Sequence, residues 1–521
     1  MKSIRYAYYW MLLLSWLGCH PVRAQHEADT WYFGERAGFS FRSGPPHVLL
    51  NSQMDAYEAT TVLSHPATGR LQLYSNGAQV WDRTHQVMPN GSNLWGTSTL
   101  YGTERVASLA TQGALLVPVP GDTAAYYLFT LQAGAKVIDL PVPAATRAGS
   151  LAYSFVDMRL HNGLGDVVST IKNRLLDMGL TEKLTAVRHA NGRDYWLISH
   201  EWLSNAFKVY PITASGVGPP ARYALGPLQP TDTTSSGYYD QLTGTLKASP
   251  DGRKIVFDTP ATAAPFGLYD FDAATGAVSN YVNLGVLLDA YGACFSPDNT
   301  KLYVPNFSRT PTGRHVNRIS QYDLQAGDAA AIAASGQSIL VDNPTTNIGP
   351  GYGSTPYSLQ IGPDGRIYGA SGYQSQGPEE QPDDYKNVFF VIHQPNARGF
   401  ACDVQYQRFN FAGRNGAWGL PNFMQHYFNG LEPTLLLPTS PCDLTQATLY
   451  PNPVPDAFRV QLPDGCASSF QVVVYDAVGR RVHAQAGTTE APIHVAGLAS
   501  GWYLVELRSA QQRVIRQMIK R

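Results

Sequence analysis

The stretch Thr245-Leu-Lys-Ala-Ser-Pro-Asp-Gly-Arg-Lys-Ile-Val-Phe257 joins two short apolar strands through a Pro-Asp-Gly turn. Proline presets the backbone of the second turn position, aspartate bonds back to the local main chain, and glycine takes the left-handed position, so the pattern predicts a β-hairpin. The same pattern recurs at 293–304 and 358–368, with degenerate copies at 61–73 and 185–197. Self-similarity of this kind indicates a repeat architecture in which one supersecondary unit is used many times.

The repeated unit predicts four-stranded blades, because each copy continues into a third strand that ends in another turn. One blade cannot bury both of its faces, whereas radial stacking of several blades covers the faces and protects the sheet edges. We therefore expect an all-β chain whose main domain, residues 25–431, is a seven-bladed β-propeller of the YVTN/WD-repeat type.

Six internal blades are expected to begin near residues 59, 107, 184, 245, 293 and 358. The seventh is expected to be closed by both termini, with 419–428 as its inner strand and 31–34 and 38–42 as that strand's partners. A helical pattern occurs at 165–178, which we expect to form an excursion within the second blade.

Composition excludes several classes of protein. The chain has 521 residues and a formal net charge of −1, so no net electrostatic field attracts nucleic acid or acidic lipid. Its 30 Tyr, 20 Phe and 9 Trp supply enough aromatic area for large cores, which excludes general disorder.

The N-terminus predicts export. Lys2 and Arg5 precede the apolar run 6–18, and Val22 and Ala24 provide short side chains for cleavage after Ala24, so residues 1–24 are expected to be a signal peptide. The alternative is lipidation at Cys19. The apolar run is shorter than the about 20 residues that span a bilayer, and no transmembrane segment is predicted.

Loss of the signal peptide leaves four cysteines for an oxidising compartment, and three pairings are open among them: Cys294, Cys402, Cys442 and Cys466. Cys294 lies within an apolar strand pattern and is expected to be a buried thiol. Cys402 with Cys442 and Cys442 with Cys466 are both candidate disulfides.

A proline-punctuated linker at 432–445 predicts a domain boundary. Residues 446–521 follow it as a second all-β unit, which we expect to be a small Ig-like β-sandwich. Its predicted strands are 458–462, 470–475, 481–483, 492–495, 501–507 and 514–520.

The second unit carries four motifs in order: Leu449-Tyr-Pro-Asn-Pro453, Val474-Tyr-Asp-Ala-Val-Gly-Arg480, Gly497-Leu-Ala-Ser-Gly-Trp-Tyr503 and Met518-Ile-Lys-Arg521. In these motifs and their spacing, 446–521 resembles the type A C-terminal sorting domain, or Por secretion tail, of the type IX secretion system of Bacteroidota. The residues that carry the resemblance are Pro451, Asn452, Pro453, Gly479, Arg480, Gly497, Leu498, Gly501, Tyr503 and Lys520.

The resemblance implies Sec export to the periplasm, followed by translocation across the outer membrane to a secreted or outer cell-surface location. It implies the type IX translocon and its sortase as partners. The alternative is an Ig-like stalk that stays attached. The first domain also resembles large propeller proteins that carry such tails, through 31–34, 80–82, 88–91, 181–187 and 419–423, but that resemblance brings no activity.

Signatures of four common enzyme classes do not occur in the sequence: GxSxG, GK[ST], HExxH and a GxGxxG opening after a strand. His200-Glu201 is expected to be a polar pair at a strand end, with a catalytic dyad as the alternative. The acidic run 378–384 lacks the ligand spacing of a calcium loop and is expected to be a solvated loop. We predict no catalytic residue, no cofactor and no metal.

Propellers commonly bind ligands at the mouth of the central channel, where the inner strands begin. The residues at such positions are Tyr57, Glu58, Arg105, Lys247, Tyr291, Tyr357 and Trp418. Aromatic faces with a few charges suit a glycan or peptide chain, whereas the alternative for the same residues is packing between blades. The sequence therefore favours an exported binding or interaction module.

Two other functions stay open. The first is an extracellular polysaccharide hydrolase or lyase with Glu58 or Glu201 as acid or base. The second is a structural component of the cell surface or gliding machinery, which a large exposed apolar patch would support.

Overall fold

A computed structural model describes residues 25–56, 58–100, 103–105, 107–133, 149–228, 242–258, 265–287, 290–309, 315–340, 355–372, 387–416, 419–433, 447–461, 469–488, 492–508 and 513–521. The chain divides into two units, Met1–Thr434 and Leu435–Arg521, and this division falls inside the predicted linker. The predicted signal peptide, with Cys19 and Ala24, lies outside the described residues.

Short antiparallel strands form consecutive sheets along the first unit. The first sheet contains β1 (Thr30–Phe33), β2 (Ala37–Ser40) and β3 (His47–Leu49). The second contains β4 (Thr61–Ser64), β5 (Leu71–Ser75) and β6 (Val80–Asp82), and the hairpin of β7 (Ser98–Leu100) and β8 (Thr103–Arg105) follows it. The third contains β9 (Ala114–Val119), β10 (Asp122–Leu131), β11 (Leu151–Asp157), β12 (Asp166–Val167) and β13 (Arg174–Asp177).

The fourth sheet contains β14 (Leu180–Arg188), β15 (Tyr195–Glu201), β16 (Ala206–Thr213), β17 (Gly216–Val217) and β18 (Ala221–Ala224). The fifth contains β19 (Leu246–Ala248), β20 (Lys254–Phe257), β21 (Gly267–Asp272) and β22 (Ala277–Asn283). The sixth contains β23 (Cys294–Phe295), β24 (Lys301–Arg309), β25 (His315–Asp323) and β26 (Gln337–Ser338), with helix α1 (Ala329–Ala334) before β26. The seventh contains β27 (Thr355–Ile361), β28 (Ile367–Gly372), β29 (Val388–Ile392) and β30 (Val404–Arg408).

The first strands of neighbouring sheets pack against one another: β1 against β4, β4 against β9, β9 against β14, β14 against β19, and β23 against β27. Each sheet is thus a blade whose first strand is innermost. This arrangement confirms the predicted seven-bladed β-propeller.

The Pro-Asp-Gly turns form as the sequence predicts. In the turn between β19 and β20, the Asp251 carboxylate accepts hydrogen bonds from Ser249 Oγ at 2.6 Å and from Arg253 N at 3.1 Å. Gly252 has a φ of +69°, which is the left-handed conformation that a side chain disfavours. These aspartates therefore act as turn formers.

The closing blade corrects one sequence prediction. β1 and β2 match the predicted N-terminal strands, but 419–424 forms no regular strand and Gln425–Phe428 is a 3-10 helix. Pro421 has no N–H group to donate to a ladder, which explains why this segment does not pair as a strand.

The two ends of the propeller are nevertheless joined by main-chain hydrogen bonds. Glu35 N donates to Asn415 O at 2.8 Å, and Asn422 N donates to Thr60 O at 2.8 Å. Thr61 Oγ1 also donates to Asn422 O at 3.1 Å. Closure by both termini is therefore present, with an irregular segment in the place of the predicted strand.

The predicted helix at 165–178 was wrong. This segment contains β12, a 3-10 turn at Ser169–Ile171 and β13. Gly165 and Asn173 have positive φ values of 89° and 54°, so a right-handed helix is interrupted both at the start and in the interior of the segment. A helical pattern was read from residues that instead extend the third blade.

Two cysteines are buried free thiols, Cys294 and Cys402. The burial of Cys294 confirms the sequence prediction, whereas the candidate disulfides that involve Cys442 stay predictions. Cys442 and Cys466 lie outside the described residues.

A cluster of aromatic rings holds the first blade against the seventh. Phe39 has no exposed surface, and its ring centroid lies 4.5 Å from that of Phe409 and 5.4 Å from that of Phe389. Trp31 is equally buried and meets the Tyr368 ring edge-on at 5.8 Å. The N-terminal strands are thus part of the core.

The second unit is a sandwich of two sheets. Its strands are β31 (Thr448–Tyr450), β32 (Ala457–Gln461), β33 (Ser469–Tyr475), β34 (Arg481–Thr488), β35 (Ile493–His494), β36 (Gly501–Arg508) and β37 (Arg513–Lys520). One sheet has the order β31-β32-β35 and the other β34-β33-β36-β37. Alternate residues such as Val472, Val474, Val505 and Leu507 form the core, which confirms the predicted Ig-like sandwich.

One carboxylate on the outer face of this sandwich is held by several donors. Glu506 is fully buried, and it accepts hydrogen bonds from Arg508 Nε at 2.8 Å and Tyr475 Oη at 2.8 Å. Arg513 forms a further ion pair with it. The hydrogen bond from Arg508 is the largest cause that lowers the pKa of Glu506 to about 2.

We predict that replacing Phe39 with Ala destabilises the propeller by about 3–5 kcal/mol, because it leaves a cavity among rings that cannot collapse. Chemical denaturation of the full chain measures the change. The matched control is Phe400→Ala, whose ring is 64% exposed and whose loss should cost less than about 0.5 kcal/mol. Equal stability of the two variants would contradict the role assigned to the N-terminal strands.

A second prediction concerns acid stability of the sandwich. Because the pKa of Glu506 falls from 4.5 to about 2 on folding, its carboxylate stabilises the domain above pH 4.5, and this contribution is lost as the pH falls towards 2. Glu506→Gln should therefore be less stable than the parent at neutral pH, with the difference shrinking across that window.

Hydrogen exchange of peptides from the second unit, corrected for intrinsic rates, resolves this effect from unfolding of the propeller. Asp456→Asn is the control, because its carboxylate is 79% exposed and 3.8 Å from Lys520 Nζ. A stability difference between parent and Glu506→Gln that stays constant with pH would refute the assignment.

Candidate functional site

A small cavity lies where the inner strands of the blades begin. It has a volume of about 30 Å³, which accommodates roughly two water molecules. Its lining residues are Glu58, Thr111, Gln112, Thr245, Lys247, Tyr291, Ser358, Leu359, Gly419, Leu420, Pro421 and Asn422. Because several blades and the closing segment all contribute, this channel cavity lies on the axis of the propeller.

The structure brings three of the seven predicted mouth residues together, since Glu58, Lys247 and Tyr291 all line the channel cavity. Tyr57 and Trp418 lie outside the described residues. Arg105 and Tyr357 are described only as members of β8 and β27. Whether these four residues contribute to a binding site stays a prediction.

Two hydroxyl groups connect two carboxylates beside the channel cavity. Tyr291 Oη donates to Glu58 Oε2 at 2.7 Å and lies 2.8 Å from Thr111 Oγ1. The main-chain N–H of Thr111 donates to Glu182 Oε2 at 3.1 Å. Burial raises the pKa of Tyr291, so its phenol stays protonated and serves as a donor.

Lys247 connects the fifth blade to the seventh across the axis. Its ammonium donates to Leu359 O at 2.5 Å and to Gln360 Oε1 at 3.1 Å, and Gln425 Nε2 also donates to Gln360 Oε1 at 3.2 Å. Burial lowers the pKa of Lys247. Both of these partners are neutral. The Lys247 side chain therefore links two blades through neutral acceptors, and it also lines the cavity.

Two amides that the sequence analysis did not single out connect the inner strands. Gln112 Oε1 accepts from Leu184 N at 3.1 Å and from Leu246 N at 2.8 Å. Asn422 Nδ2 donates to Leu184 O at 3.1 Å. Asn422 belongs to the quoted segment 419–423, whereas Gln112 has no motif around it that predicts this contact.

His200 and Glu201 do not form a catalytic dyad. The His200 ring is buried and stacks 4.1 Å from the Phe257 ring, and burial lowers the pKa of this imidazole to about 3. Glu201 accepts hydrogen bonds from Arg222 and Ser204. Successive side chains of a strand point to opposite faces, which separates the two groups.

A larger groove opens at the other end of β14 and β19, beside the Pro-Asp-Gly turn. It has a volume of about 570 Å³, and its polar lining residues include Arg188, His189, Asp251, Arg253, Asp272 and His426. We call this concavity the turn groove. The aspartate and arginine of the turn line it, although the sequence pattern indicated only a structural role for them.

Within the part of the chain that the structure describes, no three His, Cys, Asp or Glu side chains are grouped as metal ligands. The acidic run 378–384 lies outside that part. Among the same described residues, no helix has the length and apolar character that crossing a membrane requires.

In the second unit, Asn452 attaches the predicted sorting motif to the last strand. Its Nδ2 donates to Gln517 O at 2.9 Å and its Oδ1 accepts from Ile519 N at 2.9 Å. Val454 N donates to Ile519 O at 2.7 Å, and Arg521 N returns a bond to Val454 O at 3.0 Å. The chain terminus is therefore fastened along 452–454.

The turn after β33 is built by a second motif. The Asp476 carboxylate accepts from Arg480 N at 2.9 Å and Arg480 Nε at 2.9 Å, while Gly479 has a φ of +80°. Residues 448–521 match the family model of the secretion system C-terminal sorting domain. The chain carries a type IX sorting domain. Its presence indicates secretion through the type IX system to the cell surface or the extracellular space.

The sorting domain places its other motif residues at the ends of strands. Leu498 N donates to Val495 O at 3.0 Å, and Tyr503 Oη donates to Ala499 O at 2.8 Å. Lys520 is buried, and its Nζ lies 3.8 Å from Asp456 Oδ1. The motif residues thus fold the turns and secure the final strand, so the resemblance seen in the sequence has a structural basis.

No curated protein sequence matches the chain. Among solved structures, a candidate 6-phosphogluconolactonase from Bacteroides uniformis is similar with 11% identity and a TM-score of 0.39, over 75% of this chain and 98% of that one. A candidate 6-phosphogluconolactonase from Bacteroides fragilis gives 10% identity and a TM-score of 0.38, over 75% and 95%. The hydrazine synthase of Kuenenia stuttgartiensis gives 12% and 0.35, over 76% and 99%.

We predict that Asn452→Ala impairs export, because it removes two hydrogen bonds of about 1 kcal/mol each that hold the terminal strand. Fractionation of cells producing the full chain should show it shifting from the surface and medium to the cell interior. Gln461→Ala, an exposed amide in the same domain, is the control and should be exported like the parent. Normal export of Asn452→Ala would contradict the role of the motif.

Proposed function

We propose that this chain is an exported β-propeller that binds a glycan or peptide chain, with the sorting domain directing its delivery. The proposed route is Sec export by residues 1–24, then recognition of the sorting domain by the type IX translocon and its sortase. The match over 448–521 supports the second step. The observation that supports binding is the turn groove.

Size favours the turn groove over the channel cavity as the main ligand site. Small-molecule sites have volumes of about 300–1,000 Å³. The turn groove, at about 570 Å³, falls within that range, whereas the channel cavity of about 30 Å³ admits single groups of a ligand but not a sugar ring. A chain ligand therefore fits the turn groove.

The chemistry of the turn groove suits a polar chain with acidic groups. Arg188 and Arg253 are exposed, and a guanidinium recognises carboxylates through paired donors. The carboxylates of the groove are engaged in their own turns, since Asp251 accepts from Arg253 N and Asp272 accepts from Thr275 Oγ1 at 2.7 Å. The Arg188 guanidinium donates in turn from Nε to Gly192 O at 3.0 Å, so Arg253 is the positive group that we infer to be most available to a ligand.

Hydrolysis is less well supported than binding. Glycosidases commonly use two carboxyl groups beside the scissile bond, one of them an acid with a raised pKa. Glu58 is the one carboxylate among the described lining residues of the channel cavity, since Glu201 and the neighbouring Glu182 do not line it, and Glu182 accepts a hydrogen bond from Thr111 N. In the turn groove, the hydrogen bond from Thr275 lowers the pKa of Asp272, which disfavours it as an acid.

The test is a glycan and peptide array screened with the full chain, with reducing-sugar release measured on every hit. Arg253→Ala should weaken binding at least tenfold, because it removes the charge that meets an acidic group. Arg70→Ala is the matched control: it follows the glycine of the corresponding turn in the second blade and does not line the groove. Loss of binding in Arg253→Ala alone supports the proposal.

Glu58→Gln and Trp418→Ala, tested in the same screen, examine the channel mouth. If these variants lose binding and Arg253→Ala does not, the binding site is at the channel mouth, as the sequence predicts. Sugar release would overturn the binding role in favour of a hydrolase. A chain that binds nothing on either array would contradict the proposal and favour a structural role at the surface.

A further inference from the structure

A fully buried lysine and a fully buried aspartate face each other between two blades. Lys183 lies in β14 of the fourth blade and Asp258 directly follows β20 of the fifth. Neither side chain has any exposed surface, and Lys183 Nζ lies 4.0 Å from Asp258 Oδ1. None of the functions considered above uses this pair.

The surroundings of the pair are apolar and tightly packed. Lys183 Nζ lies 4.4 Å from the centroid of the Phe257 ring, on which His200 also stacks. Gly244 covers the pair, because a Cβ atom at that position would lie 2.0 Å from Asp258 Oδ1 and 3.1 Å from Lys183 Cε. Bulk water is therefore kept away from both reacting groups.

The site stabilises the charged forms of Asp258 and Lys183 poorly. Asp258 Oδ1 accepts from Thr245 N at 2.5 Å, but Oδ2 is buried without a hydrogen-bond partner among the described residues. Burial raises the pKa of Asp258 well above its ordinary value and lowers the pKa of Lys183 to about 8, against the opposing attraction of Lys183 to Asp258 and Glu182. Burial therefore makes the neutral amine and the neutral carboxylic acid easier to reach than they are in water.

We propose that Lys183 and Asp258 condense into an isopeptide bond that joins the fourth and fifth blades. The lone pair of Lys183 Nζ attacks Asp258 Cγ and forms the new C–N bond. The C–O bond of the acid breaks, and its oxygen leaves as water with the acid proton and one proton from the amine. The step is a condensation without any change of oxidation state, so it needs no oxidant, reductant or further reactant.

The geometry supports this reaction over a permanent ion pair. A neutral amine is a nucleophile, whereas an ammonium is not, and the dry site favours both the neutral amine and the loss of water. Fixed positions on two packed blades raise the effective concentration of the two groups. Because Asp258 Oδ2 has no hydrogen-bond partner among the described residues, its departure as water breaks no hydrogen bond of the fold.

The decisive measurement is the mass of the full chain, followed by tryptic mapping. The bond lowers the mass by about 18 Da, one water. It also blocks cleavage after Lys183, so residues 175–188 should appear linked to 255–301. A chain mass without the loss of water, together with separate peptides 175–183 and 255–301, would overturn the proposal.

Controls within the same digest separate this chemistry from proximity alone. Lys254 Nζ lies only 2.7 Å from Asp270 Oδ1, but both side chains are partly exposed, so trypsin should cleave after Lys254 as usual. Lys183→Met and Asp258→Ala should show no mass deficit. Asp258→Asn should still form the link with loss of about 17 Da, one ammonia, and failure of a folded Asp258→Asn chain to do so would contradict the mechanism.

Discussion

Every blade of this propeller exposes two apolar faces, and the structure depends on covering all of them by closing the ring. An open stack would leave the outer faces of its first and last blades in water, together with their unpaired strand edges. Closure rests on a short set of main-chain bonds, in which Glu35 meets Asn415 and Thr60 meets Asn422. The aromatic cluster around Phe39 then buries the joint.

The channel residues follow from this constraint. Because the inner strands converge on one axis, their polar groups must satisfy one another across it, and Gln112, Lys247 and Asn422 do so through bonds to neighbouring or opposite blades. These bonds fill the axis and leave a cavity for roughly two waters. The larger concavity, of about 570 Å³, lies at the turn end.

Local patterns in the sequence predicted what local physics determines. Turn residues at fixed spacing identified the hairpins, alternation identified the strands of the sandwich, and four motifs identified the sorting domain. The patterns failed where tertiary contacts decide: 165–178 extends a blade and not a helix, and 419–424 closes the ring without becoming a strand. The convergence of Glu58 and Tyr291, 233 positions apart, follows only from the closed ring.

The order of the chain couples assembly to delivery. Asn415 and Asn422, whose main-chain bonds close the ring, come late in the propeller, and the sorting domain follows them in the chain. A chain whose synthesis stops before these residues therefore lacks both the contacts that close the ring and the sorting domain.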